Sequence, residues 1–282
     1  MGDNFWELNR PLPPGEHAFR LVTFDEPEGR EFYWHTAAHV LATAVQALYP
    51  EARFGIGPAV ENGFYYDFLV DKPFTDDDLA AIEEKMREVI AADLPLVRRV
   101  VSRDEARAEM ERRGEMLKVE LIGELPPEAE VTFYSDGDFT DLCKGPHLVS
   151  TGRLGVVKLL SVAGAYWRGD ERRPMLSRIY GTAFPKQKQL DEFLAGVEEA
   201  KRRDHRKLGA ELELFSIAEN YGPGMILYHP AGATLHYEIE RLSHEMHRER
   251  GYELVHTPHL FRADLWKMSG HYEHYKDNMF FA

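Results

Sequence analysis

Four side chains in this sequence have the types and the spacing to share one reaction centre. His35 and His39 stand four positions apart in HTAAH, so on a helix they point the same way, one turn apart. Cys143 and His147 repeat that separation in DLCKGPHL, where Gly145-Pro146 disfavours helix and predicts a tight loop. Three readings fit such a set. Unrelated core or surface histidines are the simplest, because His-x-x-x-His is a short pattern. A tetrahedral zinc site is the second; the residue types suit it, although the spacings are wider than the commonest zinc pairs. The third is a metal-free hydrolytic pocket, in which neutral imidazole takes a proton from water while neighbouring groups hold a scissile ester. Spacing alone does not choose among them.

The elements that must position these residues are visible as periodicities. Over residues 32–49, Ala37, Ala38, Val40, Leu41, Ala44, Val45 and Leu48 recur at helical spacing and Pro50 ends the run, which predicts a core-facing helix bearing both histidines. A second helix follows Thr75, an N-cap with Asp76, Asp77 and Asp78 in its first turn, and carries Leu79, Ile82, Met86, Val89 and Ile90 along one stripe. A third starts at Ser102, with Glu105 at capping-box spacing. PLVRRVV, VTFYSD and GVVKLLSVAGAYW read as strands, so residues 1–180 are predicted to be α+β, and residues 4–24 read as a hairpin around PLPPGEH. From Pro185 a helical stretch runs to about Leu208 with Leu190, Phe193, Leu194 and Val197 as its stripe. A turn at Gly222, Pro223 and Gly224 follows, then a helix from Ala231 to Arg250 closed by Gly251, a strand YELVHT, and Pro258.

Composition narrows the class. A chain of 282 residues with 44% hydrophobic residues exceeds the roughly 100–200 residues of one domain, so two or more are expected. The single cysteine rules out an internal disulfide, and the opening MGDNFWELNR lacks the layout of a signal peptide, which points to the cytoplasm. No apolar run approaches the roughly 18 residues of a membrane span, and Met1-Gly2 lacks the Ser/Thr that a myristoylation signal would place at Trp6. A net charge of -14 argues at first sight against a nucleic-acid partner. Residues 168–178 (RGDERRPMLSR) and 201–207 (KRRDHRK) run the other way; they would form local basic faces or, more simply, solvated surface.

Longer words around the four residues carry a resemblance. HTAAHVLATAVQALYP, GIGPAVENGFYYDF, DLCKGPHL, AGAYWRGD and RIYGTAFP, in this order, resemble the editing domain of threonyl-tRNA synthetases, a fold similar to that of alanyl-tRNA editing proteins. AKRRDHRKLG resembles the connector into their catalytic domain, and the stretch from GPGMILYHP to VHTPHL resembles class II motif 1, so nearly the whole chain is covered. The resemblance implies an end of a ubiquitin-like (TGS) domain at 1–28, an α+β editing domain at 29–184, a connector helix at 185–210, and at 211–282 the start of a class II antiparallel-sheet domain. It implies that His35, His39, Cys143 and His147 line the editing pocket and that Lys118 (in RGEMLKVELI) and Asp141 belong to it. Tyr66 is a weaker substrate-binding match. Pro258 matches the motif 1 proline of a homodimer interface.

The implied partner is the acceptor end of tRNA(Thr), and the implied activity is proofreading. Threonine and serine differ by a methyl worth only about 1–3 kcal/mol of discrimination, so a second site that admits the smaller side chain and hydrolyses its ester is needed. His35 or His147 would deprotonate the water, Lys118 would offset charge on the carbonyl oxygen, Asp141 would fix a tautomer or hold the serine amino group, and Cys143 would shape the pocket. Editing needs no cofactor in this reading. ATP, magnesium and zinc serve the full-length family through motifs 2 and 3 and a Cys/His/His set beyond this chain, so aminoacylation is not expected of it. Two alternatives stand: a zinc-dependent alanyl-type deacylase with His35, His39, Cys143 and His147 as ligands, and a non-catalytic tRNA-binding or dimerising module.

Overall fold

The computed structural model describes residues 5–217, 222 and 224–280; Met1-Gly2 and Pro223, on which two expectations fell, lie outside the described residues. The chain divides into two compact units, Met1–Val197 and Glu198–Ala282.

In the first unit, α1 (Pro27–Leu48) begins earlier than its apolar periodicity because Pro27 occupies the first helical position, where its fixed φ suits the helix. Tyr49 N–H closes it on the Val45 carbonyl, just before Pro50. There follow β1 (Arg53–Phe54), β2 (Ala59–Val60), β3 (Gly63–Leu69) and α2 (Asp76–Ala91). Thr75 caps α2 through the reciprocal pair with Asp78, as Ser102 caps α3 with Glu105. After β4 (Val97–Val101), α3 (Arg103–Arg113) and α4 (Met116–Glu124) come β5 (Val131–Asp136), β6 (Phe139–Leu142), β7 (Val156–Tyr166) and β8 (Met175–Phe184).

Two antiparallel sheets result. One runs β1-β3-β8-β7 with β2 also on β3, and the other runs β4-β5-β6. Helices α1 and α2 cover the larger sheet, and Val40, Leu41, Val45, Phe64, Phe68, Ile82, Met86 and Ile179 are wholly buried between the layers. Helices α3 and α4 cover the smaller sheet through Ala106, Met110, Val119, Ile122, Val131 and Phe133. Leu117, Trp167 and Leu176 join α4 to the larger sheet. The α+β class expected from sequence is the class observed, and the helix carrying His35 and His39 is the most buried one of this unit.

Three local expectations are corrected. Residues 5–24 form no strand; Pro11, Pro13 and Pro14 lack ladder donors, and the segment satisfies its polar groups otherwise, as where Asn9 Nδ2 donates to the Leu96 carbonyl at 3.1 Å. Leu48, grouped with the buried stripe of α1, is exposed at its last turn. The stretch after Pro185 is two helices, α5 (Gln187–Arg202) and α6 (His205–Glu211), because Asp204 leaves the helix to cap α6 by accepting from Arg206 N–H at 2.8 Å. Of its expected stripe only Leu190 is fully buried.

The second unit holds α6, the antiparallel pair β9 (Phe215–Ile217) and β10 (Ile226–Tyr228), and the helices α7 (Pro230–Glu249), α8 (Ala263–Met268) and α9 (His271–Tyr275). Gly251, at φ 84°, follows α7 in the left-handed conformation expected of it. YELVHT forms no strand: a strand exists only in a ladder, no described strand pairs with residues 252–257, and Leu254 and Val255 are 66% and 76% exposed. The basic runs are largely neutralised on the surface, Arg168 by Glu120 and Glu124, Arg178 by Asp67, and Arg202 and Arg203 by Glu199. Among the described residues no helix is long and apolar enough to cross a membrane.

Candidate active site

Helix α1 presents His35 and His39 toward the end of β6. Cys143 extends that strand, its N–H donating to the Thr132 carbonyl at 3.1 Å, and the chain then turns sharply through Gly145 at φ 69° and a cis Gly145-Pro146 bond. The turn brings His147 back beside the thiol. Cys143 Sγ lies 3.2 Å from His35 Nε2 and 3.1 Å from His147 Nε2. The His147 ring centroid is 4.2 Å from that of His35 and 4.2 Å from that of His39. One donor atom from each of His35, His39, Cys143 and His147 falls within 4.8 Å of all the others. Residues more than a hundred positions apart thus converge on one point.

The hydrogen bonds assign a tautomer. Thr36 Oγ1 gives its proton to the Phe32 carbonyl at 2.9 Å and accepts from Leu148 N–H at 3.0 Å, so toward His147 Nδ1, 3.3 Å away, it can act only as an acceptor. His147 therefore carries its proton on Nδ1 and turns the lone pair of Nε2 toward the Cys143 thiol, 3.1 Å away. His35 is oriented separately by a hydrogen bond to the Pro146 backbone.

Burial sets the charge states. Desolvation lowers His35 to about 4 and His39 to about 3, and drives His147 well below its usual range, so all three imidazoles are neutral at neutral pH. Desolvation also pushes the Cys143 thiol up to about 12, which leaves it a thiol rather than a nucleophilic thiolate. Beside them sits a buried polar trio, a charged pair and a neutral hydroxyl. Lys118 Nζ of α4 is 2.5 Å from Asp141 Oδ1 of β6, and Tyr66 of β3 donates its hydroxyl to Asp141 Oδ2 at 2.5 Å. Burial by itself would raise Asp141, but Lys118, the neighbouring His39 and the two hydrogen bonds overrule it and hold the carboxyl below its usual value. The pair lines a cavity of about 230 Å³ together with Arg53, Phe54, Glu115 and Phe139.

Of the residues singled out from sequence, His35, His39, Cys143 and His147 meet directly, and Lys118, Asp141 and Tyr66 form the adjoining trio. Pro258 belongs to the other unit, exposed in irregular chain. Sequence reasoning missed Thr36, whose adjacency to His35 was the available signal, and Glu7, whose side chain accepts from His147 N–H at 2.8 Å and for which no signal existed. It also missed Asp136 in VTFYSD, fully buried and raised to about 7 by desolvation, with Thr43 donating to Oδ2 at 2.6 Å and Oδ1 unpartnered. His39 Nδ1 is likewise buried with no hydrogen-bond partner among the described residues.

That set of groups suits two chemistries. Neutral imidazole with an oriented lone pair, next to a buried lysine, can activate water at a carbonyl. Three imidazoles and a thiol also fit a four-coordinate zinc ion in donor type, and the Thr36 bond to His147 Nδ1 is of the kind that orients a metal-binding imidazole.

Residues 131–180, which run from β5 through Cys143 and His147 into β8, match the family described as threonyl and alanyl tRNA synthetase second additional domain. The chain is 51% identical to a threonine-tRNA ligase of Desulforamulus reducens and 51% identical to one of Caldanaerobacter subterraneus, in each case over 98% of its own length. It is 50% identical to one of Citrifermentans bemidjiense over 99% of its length. It spans 43%, 42% and 44% of these three relatives. With that identity sustained across both units, and with the editing-type match falling on the Cys143 loop, the chain belongs to the threonyl-tRNA synthetase family, of which it covers the part just described.

Proposed function

We propose that this chain hydrolyses the ester of serine mistakenly attached to tRNA(Thr), with water as the nucleophile. One observation carries the reading: three neutral imidazoles and a thiol surround a single point beside a buried Lys118–Asp141 pair. His147, whose Nε2 lone pair faces the Cys143 thiol, is the general base; Lys118 offsets the charge that grows on the ester oxygen; Asp141 and Tyr66 hold Lys118 in place. Cys143 shapes the pocket and does not attack, since its thiol stays protonated. The substrate would reach the protein as the acceptor end of tRNA(Thr), in the cytoplasm. The exposed apolar side chains of α7, Leu235, Ile239, Leu242 and Met246, together with Pro258, support a homodimer contact in the second unit.

The test is deacylation of seryl-, threonyl- and alanyl-tRNA(Thr) by the purified chain. Release of serine in preference to threonine, reduced about 10²–10⁴-fold in His147→Ala, is the expected result. Equal loss of all three esters, or salt-sensitive tRNA binding without hydrolysis, would overturn the reading in favour of a non-catalytic module. The convergence of four donor atoms favours one second reading, in which His35, His39, Cys143 and His147 would hold a zinc ion, three of them sufficing if the fourth position were left open for Lewis-acid activation of water or the ester. Stoichiometric zinc in the purified protein, with deacylation abolished by a chelator and restored by zinc, would establish it.

A further inference from the structure

We infer that Glu7, from the irregular segment that precedes α1, is a positioning residue for the catalytic loop; the inference rests on the hydrolytic reading of that loop. Its carboxylate reaches across 140 residues of sequence to accept from the His147 backbone N–H at 2.8 Å. It also takes the Tyr134 hydroxyl as a hydrogen bond, and that bond, after burial, is the main cause that raises the tyrosine to beyond its ordinary range. Tyr134 in turn lies edge-on to the His147 ring at a centroid distance of 4.6 Å. One side chain therefore holds both the backbone of the base and the ring that packs against it.

The fit is tight. Glu7 is only 8% exposed although Leu8 beside it is 78% exposed. A Cβ added to Gly145 would stand 2.2 Å from the Tyr134 hydroxyl and 3.2 Å from Glu7 Oε1, so the loop passes these two groups at a distance only glycine permits. The segment is anchored independently by Asn9 on Leu96 and by the edge-to-face packing of Phe5 on Phe32 in α1. Leaving the His147 N–H unpaired inside the protein is costly, and Glu7 is the acceptor that prevents it. Without Glu7 the loop loses the acceptor that fixes where His147 begins, and the Nε2 lone pair is no longer held against the thiol. The segment around Glu7 is in this respect part of the hydrolytic unit.

Because Cys143 is the sole cysteine, alkylation of the whole chain by iodoacetamide reads the loop without reference to activity. Three variants of the full chain, Glu7→Ala, Glu7→Gln and Tyr134→Phe, are compared by alkylation rate, by thermal midpoint and by kcat and KM for seryl-tRNA(Thr). Glu7→Ala is expected to alkylate roughly tenfold faster and to lose roughly tenfold in kcat with KM unchanged. Glu7→Gln keeps an acceptor for the His147 N–H and a partner for Tyr134, so it should restore both readouts to within about twofold, and Tyr134→Phe should fall between the two. Alkylation of Glu7→Ala at the parent rate overturns the inference, as does Glu7→Gln as impaired as Glu7→Ala, which would make charge and not hydrogen bonding the cause. If the parent chain hydrolyses no ester, the function proposed above fails, and the alkylation series still decides whether Glu7 holds the loop.

Discussion

Helices α1 and α7 carry comparable apolar stripes in sequence and meet opposite fates. In α1, Ala37, Ala38, Val40, Leu41, Ala44 and Val45 are all inaccessible beneath α2 and the larger sheet. In α7, Gly232 is the one buried residue, and Leu235, Ile239, Leu242 and Met246 face outward. The difference teaches that periodicity reports a helix's capacity to be buried, while burial itself needs a second surface. The consequence for chemistry is direct: His39 has its low proton affinity because α1 is covered, and the histidines of α7, His236, His244 and His247, stand on a helix without that cover.

The sharpest test of this contrast is to break the buried pair of the first unit. Lys118→Met leaves Asp141 charged and unpaired in the interior and should lower unfolding stability by about 3–5 kcal/mol, read as a shift in urea midpoint at constant slope. Next, Leu41→Ala in α1 should cost about 2–5 kcal/mol. Its counterpart in α7, Leu242→Ala, should stay within about 0.5 kcal/mol if the stripe is bare in solution; a cost of Leu41 size, dependent on protein concentration, would instead reveal the proposed dimer.

Acid sharpens the comparison in another way. His35 and His39 titrate lower folded than unfolded, so their neutral forms stabilise the fold above about pH 6.5, and that stability is lost as pH falls toward 4 and 3. Asp136, raised to about 7, has the opposite sign: its protonated form favours the fold as pH falls from 7 toward 3.8 and partly masks the histidines. In Asp136→Asn the histidine effect should stand clear of it, about 2 kcal/mol each from His35 and His39 between pH 7.5 and 5, with His147 adding a loss of the same sign, in denaturant titrations. An Asp136→Asn variant with a flat profile over that range would show that the imidazoles are not buried as described. Loss of a cap is smaller than the core and histidine effects: Ser102→Ala should cost about 1 kcal/mol in thermal or urea unfolding, because α3 is fixed by the reciprocal bond with Glu105.

Much of the fold was readable because its signals are local. The capping boxes at Thr75 and Ser102, the strands VTFYSD and GVVKLLSVAGAYW, and the left-handed Gly251 all depend on residues within a turn of one another. Where reading failed, the deciding partner was remote or absent. YELVHT has a strand's composition and no ladder to join; NFWEL and FRLVTF likewise read as strands, yet the described part of that segment is held by a side chain on Leu96 and by Glu7 on His147. The site shows the same division. His35, His39, Cys143, His147, Lys118, Asp141 and Tyr66 stand in recognisable words, whereas Glu7, Thr36 and Asp136 matter only through what they touch.

The sequence by itself determined the elements, their caps and the list of chemically able residues, because these rest on spacing along a chain whose turn and pleat have fixed periods. Only the tertiary structure decided that the helix bearing two histidines closes over the loop bearing the thiol, which nitrogen of His147 carries the proton, and how far burial drives the imidazoles toward neutrality. Those outcomes depend on desolvation and on bonds between segments far apart in the chain, and no period in a sequence encodes a distance across the interior.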